Sequence, residues 1–249
     1  MSSLERWLIL HLEGPLVAFG GATIDHVGVT REFPAASMLT GMIANALGWD
    51  RAEWGKHQAL QDRLVFAARI DRESLTGVLT DMQNVQHGGS DEGWTTTGSP
   101  ERRGGGEKKA PRQRKRDYLP DAAATVALRL ISTDRDLELD LDRIAAALVQ
   151  PSRPIFLGRK PCLPSALIIQ PGEETVSAPT AYDALSLIPT IDGIERSLRC
   201  CWPVGEGPKS GDSVFRIVEP ADLRNWRSGL HGGWRQVVEG TVHCLGARK

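Results

Sequence analysis

The amino-acid sequence predicts an α+β fold, and three observations carry that prediction. In the first two thirds of the chain, apolar runs of strand length alternate with helical stripes. A polar, basic excursion interrupts that series in its middle. The last third holds one short helical stretch among strand candidates, separated by segments such as Gly205-Glu206-Gly207-Pro208. A chain of 249 residues, 41% apolar and 24% charged, is long enough and apolar enough to bury a sizeable core in one large domain or two modest ones.

Arg6 to Glu13 alternates as a strand, with Trp7, Ile9 and His11 on one face and Leu8, Leu10 and Leu12 on the other. Both faces are apolar, which places it centrally, covered on both sides. Gly14-Pro15 is expected to end it. The loop beyond holds Phe19-Gly20-Gly21 and Gly28, without the spacing of a phosphate loop and with no G-K-[ST] behind it. Pro34 opens a helix in which Met38, Leu39, Met42, Ile43, Ala46 and Leu47 form one stripe, closed by Gly48. Asp50 and Glu53 form a capping box for a second short helix carrying Trp54 and Leu60. Leu64 to Ile70 and Leu75 to Met82 read as strands, the second running into the excursion.

Beyond the excursion come a strand from Thr125 to Ile131 and a helix from Asp140 to Val149, with Leu141, Ile144, Ala145 and Leu148 inward. Ile155 to Gly158 and Ala166 to Ile169 supply the last strands of this half. Strand, helix, strand, insertion, strand, helix, strand is the order of a ferredoxin-like or RRM-like domain with an elongated central hairpin. The expected division is a domain over 1–170, with its insertion at about 83–117, and a small β-rich lobe over 171–249. Pro171 to Thr180 reads as the linker. The lobe has a helical stretch at Ala184 to Leu187 and strands at Ser197 to Trp202, Val214 to Val218 and Trp234 to Val242.

The net charge of −1 conceals a split. Between Glu101 and Asp117 lie eight basic residues against three acidic ones; of the 30 basic and 31 acidic residues in the chain, 22 and 28 remain elsewhere. The body is mildly acidic and the arm strongly basic, which favours a local contact with a polyanion. A solvated loop without a partner is the plain alternative. Within and beside this arm, Gln83, His87, Trp94, Arg112, Arg114, Lys115, Arg116 and Tyr118 are candidates for nucleic-acid contact. Trp94, surrounded by polar residues, suits stacking on a base; Phe19 suits stacking or the core. Two further features are the first helix N-terminus, flanked by Arg31 and Ser37, and the turn Gly158-Arg159-Lys160. Ser37 reads as an N-cap or as a phosphate ligand. The cations of the turn read as ligands or as members of a surface salt bridge.

Cys162, Cys200, Cys201 and Cys244 include no C-x-x-C pair and the six histidines form no zinc-binding pattern, so neither metal nor cofactor is expected. Cys200 and Cys201 point to opposite faces of a strand, which puts at most one of them in the core. No run approaches the length of a membrane helix and no cleavable apolar segment follows Met1, so the expectation is a soluble, cytoplasmic chain with reduced thiols.

Leu8-Ile9-Leu10-x-Leu12-x-Gly14-Pro15-x-x-Ala18-Phe19-Gly20, followed by Arg31-x-Phe33-Pro34-x-x-Ser37-x-Leu39-x-Gly41 and Ala46-Leu47-Gly48, resembles the opening of the CasD family. Arg116-Asp117-Tyr118-Leu119-x-Asp121-Ala122 and Pro154-x-x-Leu157-Gly158-Arg159-Lys160-x-Cys162 agree in the same order. These are RAMP-superfamily subunits of the type I-E CRISPR Cascade complex. The resemblance covers roughly the first two thirds of the chain. It implies a noncatalytic subunit that caps the 5′ handle of the crRNA, beside a backbone RAMP subunit and the large subunit, with target DNA met indirectly. It also makes Gln83 to Asp117 the family's thumb, expected to be mobile until guide RNA and a neighbouring subunit close around it. Phe19 stands where the family often has Trp, and Ala35-Ala36 in the segment where it often has Arg, so the expected handle contact there is either weakened or moved to Arg31.

A related subtype cuts precursor RNA without a metal, using Tyr, Lys and His. Tyr118 beside Lys115 and Arg116, with His87 nearby, supplies part of that set, so metal-independent endoribonuclease is the alternative function. A ferredoxin-like interaction protein unrelated to RNA is a third reading, and it leaves the basic arm unexplained.

Overall fold

The computed structural model describes residues 4–21, 23–24, 26–85, 93–94, 100–101, 112–132, 139–172 and 174–246. The first half comprises β1 (Glu5–Val17), β2 (Thr23–Ile24), β3 (Val27–Gly28), α1 (Ala36–Ala46), α2 (Trp54–Arg63), β4 (Leu64–Arg72) and β5 (Leu79–Val85). It continues through β6 (Gly93–Trp94), β7 (Pro100–Glu101), β8 (Arg112–Leu130), α3 (Leu141–Val149) and β9 (Thr175–Ala178). Then follow α4 (Ala181–Leu187), β10 (Arg196–Pro203), β11 (Val214–Val218), β12 (Leu223–Arg224), β13 (His231–Gly233) and β14 (Val237–Cys244). The fold is α+β, built on one large sheet in the order β11-β14-β10-β4-β8-β1-β9, antiparallel at every step of that path.

The alternation read in Trp7 to Leu12 decides how this sheet is covered. Leu8, Leu10 and Leu12 join Phe66, Val126 and Leu128 under α1, α2 and α3, whereas Trp7 and Ile9 join Ala67, Ala127 and Trp202 under α4. Both faces are buried, so adjacent Cys200 and Cys201 are buried too, one in each layer. The expectation of at most one core cysteine fails because it assumed a sheet with one wet face. Desolvation pushes the Cys201 thiol up to about 12 and Cys200 higher still.

The strands after residue 180 continue the same sheet, since β10 pairs with β4 through Cys200↔Arg69 and Cys201↔Ala68. Arg69 is wholly buried there. Its guanidinium donates to Asp71, to the carbonyl of Leu185 in the last turn of α4 and to those of Ile188 and Pro189 just past it, while Thr125 donates its hydroxyl to Asp71. A cation thus answers the unpaired carbonyls at a helix C-terminus and locks α4 onto the sheet.

Three local expectations are corrected. Strand β1 passes through Gly14-Pro15 to Val17, pairing Gly14 with Ala122 and Leu16 with Pro120. Pro15 is exposed between those rungs, opposite Asp121, which has a φ of +49° and interrupts the regular ladder of β8, so the missing N–H of Pro15 is not called upon. The runs 155–158 and 166–169 are irregular chain and not strands; Ile155, Leu157, Ile168 and Ile169 are apolar because they are buried. The partner of β1 on that edge is β9, which lies in the stretch read as a linker. At the excursion, β5 pairs with β8 over seven rungs from Leu79↔Tyr118 to Val85↔Arg112. His87 and most of the chain between those strands lie outside the described residues.

Candidate nucleic-acid interface

Helix α1 begins at Ala36, and its N-cap is Ala35, which has no side chain able to cap. Ser37 is therefore the second helical residue and does not serve as the N-cap. The cap comes from far along the chain: Asp222 accepts the Ala36 N–H through its carboxylate at 3.2 Å and the Ser37 N–H through its carbonyl at 3.0 Å. Arg235 holds that carboxylate at 3.0 Å. The helix N-terminus is thereby filled by the protein's own carboxylate.

One turn further on, Ser37, Met38, Gly41, Met42 and Asn45 form a helical stripe along the wall of a groove of about 600 Å³. Gly20 and Gly21 line it from the loop after β1, Phe156, Gly158 and Arg159 from the loop after α3, and Arg224, Trp226 and His231 from the β12–β13 hairpin. Gly158 has a φ of +98°, and a Cβ there would stand 1.8 Å from the Ala18 carbonyl oxygen, so only glycine permits this crossing. The adjoining backbone bond, Ala18 N–H to Leu157 carbonyl, fastens the two loops at 3.0 Å.

Arg159 joins this groove to the basic hairpin. Its guanidinium donates to the Asp117 carbonyl at 2.7 Å and to the Gly28 and Val29 carbonyls at 2.8 and 3.0 Å, and it lies over the Tyr118 ring at 5.2 Å. Short strand β3 runs parallel to β8 beside it, pairing Val27 with Lys115 and Gly28 with Arg116. Arg116 donates to the His26 carbonyl at 3.2 Å. Along β8 the period of two puts Arg114 and Arg116 on one side of the ladder, opposite Gln83 and Asp81 of β5. Arg114 and Gln83 are exposed, and Gln83 bonds Asp81 at 2.7 Å.

Of the residues singled out from the sequence, Gly20, Ser37, Gly158 and Arg159 meet in the groove, with Lys160 exposed next to them. Gln83, Arg114, Lys115 and Arg116 stand on the hairpin that Arg159 ties to it. Phe19 is only 1% exposed, so its ring belongs to the core; Tyr118, at 3%, is closed beneath Arg159. Arg31 turns away into a separate cleft of about 400 Å³ and donates to the Ala221 carbonyl at 2.8 Å. Of Arg112 and Trp94 the backbone is described, in β8 and β6; their side chains, like His87, lie outside the described residues.

The contribution of the last third was missed. Trp226 is held by Gln61 and Gln58 of α2: Gln61 accepts the indole N–H at 3.1 Å and the Arg224 N–H at 3.0 Å, and Gln58 accepts the Trp226 N–H at 3.3 Å. Its ring packs on His57 with centroids 4.8 Å apart. The signal was legible, since Arg224-Asn225-Trp226-Arg227-Ser228-Gly229 sets an aromatic between cations in a turn, as Trp94 was read to stand in the arm. Among the described residues no cluster of side chains suited to a metal ion is present, and no helix is long and apolar enough to cross a membrane.

Comparison with known proteins bears on the same surfaces. The family model described as CRISPR-associated protein (Cas_Cas5) matches residues 7–238. The chain belongs to that family. The Cas5 match runs from β1 into β14 and so takes in both the groove and the hairpin. The CRISPR system Cascade subunit CasD of Escherichia coli (strain K12) is 31% identical over 159 residues, 64% of this chain and 67% of that relative. Among solved structures, a chain of a CRISPR RNA-guided surveillance complex superposes with a TM-score of 0.65 at 22% identity, covering 96% of this chain and 91% of its own. A structure titled as a Cas protein gives a TM-score of 0.59 at 23% identity, covering 96% and 95%. At those identities the two structures show a shared fold.

Proposed function

We propose that this Cas5-family chain is a noncatalytic RNA-binding subunit of a CRISPR Cascade surveillance complex that binds and caps the 5′ handle of the crRNA. The observation that carries the reading is Arg159. It lines the groove and is bonded to the Asp117 backbone of the basic hairpin, so groove and hairpin form one continuous surface. A strand of RNA lying in the groove meets the cations of β8 at its end. The E. coli relative, itself a Cascade subunit, agrees with this. The strand order β4-β8-β1-β9, with α1 and α3 on one face, supports the ferredoxin-like, RRM-like description, and the β5–β8 extension supports the thumb. Its partners in this reading are the crRNA, the backbone RAMP subunit and the large subunit.

Noncatalytic is the better reading because the cleavage alternative depends on Tyr118, which is buried under a guanidinium. A general base or acid has to come within hydrogen-bond reach of the 2′-OH or the leaving oxygen. Incubation with repeat RNA in EDTA should leave the RNA intact; a cut product lost in Tyr118→Phe overturns this half of the proposal. For binding, the log–log salt slope should be near −0.7 per phosphate contact on a single strand. Arg112→Ala, Arg114→Ala and Arg116→Ala together should flatten it. An unchanged slope removes the hairpin from the interface.

A further inference from the structure

The chain reverses between β12 and β13 in a turn built by Asn225, whose side-chain oxygen accepts the N–H groups of Arg227 and Ser228 at 3.1 and 3.0 Å. Gly229 follows with a φ of +75° and bonds back to the Asn225 carbonyl at 2.8 Å. Two guanidinium groups converge on this glycine from different parts of the chain. A point at the position of a Gly229 Cβ lies 3.2 Å from Nη2 of Arg51, in the turn before α2, and 3.3 Å from Nη2 of Arg224.

Several other guanidinium groups in this molecule have carboxylates: Arg72 has Glu13 and Asp121, Arg153 has Asp50, Arg196 has Asp192 and Arg216 has Glu239; others, such as Arg159 and Arg31, are bonded to backbone carbonyls. Among the described residues, neither Arg51 nor Arg224 pairs with a carboxylate. Arg224 lies over the Trp226 ring at 5.3 Å, and its buried Nε has no hydrogen-bond partner. Burial first, and then the charge of Arg51, draws the Arg224 guanidinium below its ordinary value. Two like charges gathered at a partly dry site with unused donors are unfavourable for the chain alone and favourable once an anion bridges them. Arg224 and Gly229 both line the groove.

We propose that Arg51 and Arg224 form a phosphate-binding corner at the Gly229 turn, which holds one phosphodiester of the RNA strand lying in the groove. The inference rests on the RNA-binding reading and extends it to the last third of the chain, giving the β12–β13 hairpin a ligand of its own. Trp226 is the positioning residue: it is fixed by Gln58 and Gln61 and carries Arg224 on its ring face. A phosphodiester suits the site because two guanidinium groups that meet at one turn match its two free oxygens.

The test uses the full chain and a single-stranded RNA of the associated CRISPR repeat, bearing one uncharged methylphosphonate linkage moved position by position. Affinity is read by fluorescence anisotropy. With natural RNA, the combination of Arg51→Gln and Arg224→Gln should lose about ten- to a hundredfold in affinity, as expected for charge-assisted contacts, and its salt slope should flatten by about 0.7. One methylphosphonate position should weaken wild type by a similar factor and leave the double variant unaffected. If the double variant does not fold, Arg51→Gln, on an exposed turn, should show part of the same loss at that position. A folded double variant with wild-type affinity, slope and linkage profile overturns the corner while leaving RNA binding standing. A wild-type chain that binds none of these RNAs overturns both.

Discussion

The 19-residue strand β8 runs through two environments, and the contrast between them explains how this molecule presents charge. From Ala122 to Leu128 every residue is buried, pressed between β1 and β4 in register and covered on both faces. From Gln113 to Asp117 the same strand has β5 on one side and, at Lys115 and Arg116, short β3 on the other; Gln113 and Arg114 are exposed, Lys115 to Asp117 half-buried, and none of the five is in the core. The first half cannot tolerate charge and the second has no core to bury apolar groups. Because one strand crosses both, the cations at 114 to 116 inherit the register of the core and are not free to choose their spacing. A basic arm attached by an irregular loop has no such constraint.

The contrast is broken most severely from the buried side. Leu128→Ala should cost about 2–5 kcal/mol of unfolding free energy in a urea titration, the range for truncating a fully buried leucine. A loss below 0.5 kcal/mol would deny that the two layers grip this part of β8. An intermediate effect comes from alkali. Burial raises the Cys201 thiol to about 12, so the folded chain keeps a proton that the unfolded chain loses near the ordinary thiol value of about 8.5. This contribution to stability is complete below that value and is lost as pH rises toward 12. At pH 10 the penalty from Cys201 should be about 2 kcal/mol, seen as a midpoint that falls less steeply with pH in Cys201→Ala. Equal pH slopes in the two proteins would refute it. The smallest effect belongs to the arm: Arg114→Ala should change stability by no more than about 0.5 kcal/mol, as for other exposed substitutions, while weakening RNA binding. A larger destabilisation would mean that the arm is part of the folding core.

The sequence carried the elements of the body well because their burial is written in local pattern. Trp7 to Leu12 showed a strand wet on neither face, Asp140 to Val149 showed an amphipathic helix, and Val214 to Val218 was read to the residue. It failed at 155–158 and 166–169, where buried apolar residues serve an irregular chain, and at Thr175–Ala178, whose neighbour β1 lies 170 residues upstream. Periodicity reports burial and cannot report which backbone lies alongside.

The candidate site divides in the same way. The glycines, the clustered cations of the arm and the turn at Gly158-Arg159-Lys160 were visible as residue types in order, and so was the resemblance that they carry. Asp222 capping α1, Arg159 bonding to Asp117, and Arg51 meeting Arg224 across Gly229 join positions between 42 and 186 residues apart or from separate loops. Their side chains are ordinary in the sequence. They acquire meaning where a folded sheet sets a carboxylate against free N–H groups, a guanidinium against three carbonyls, and two cations against one glycine.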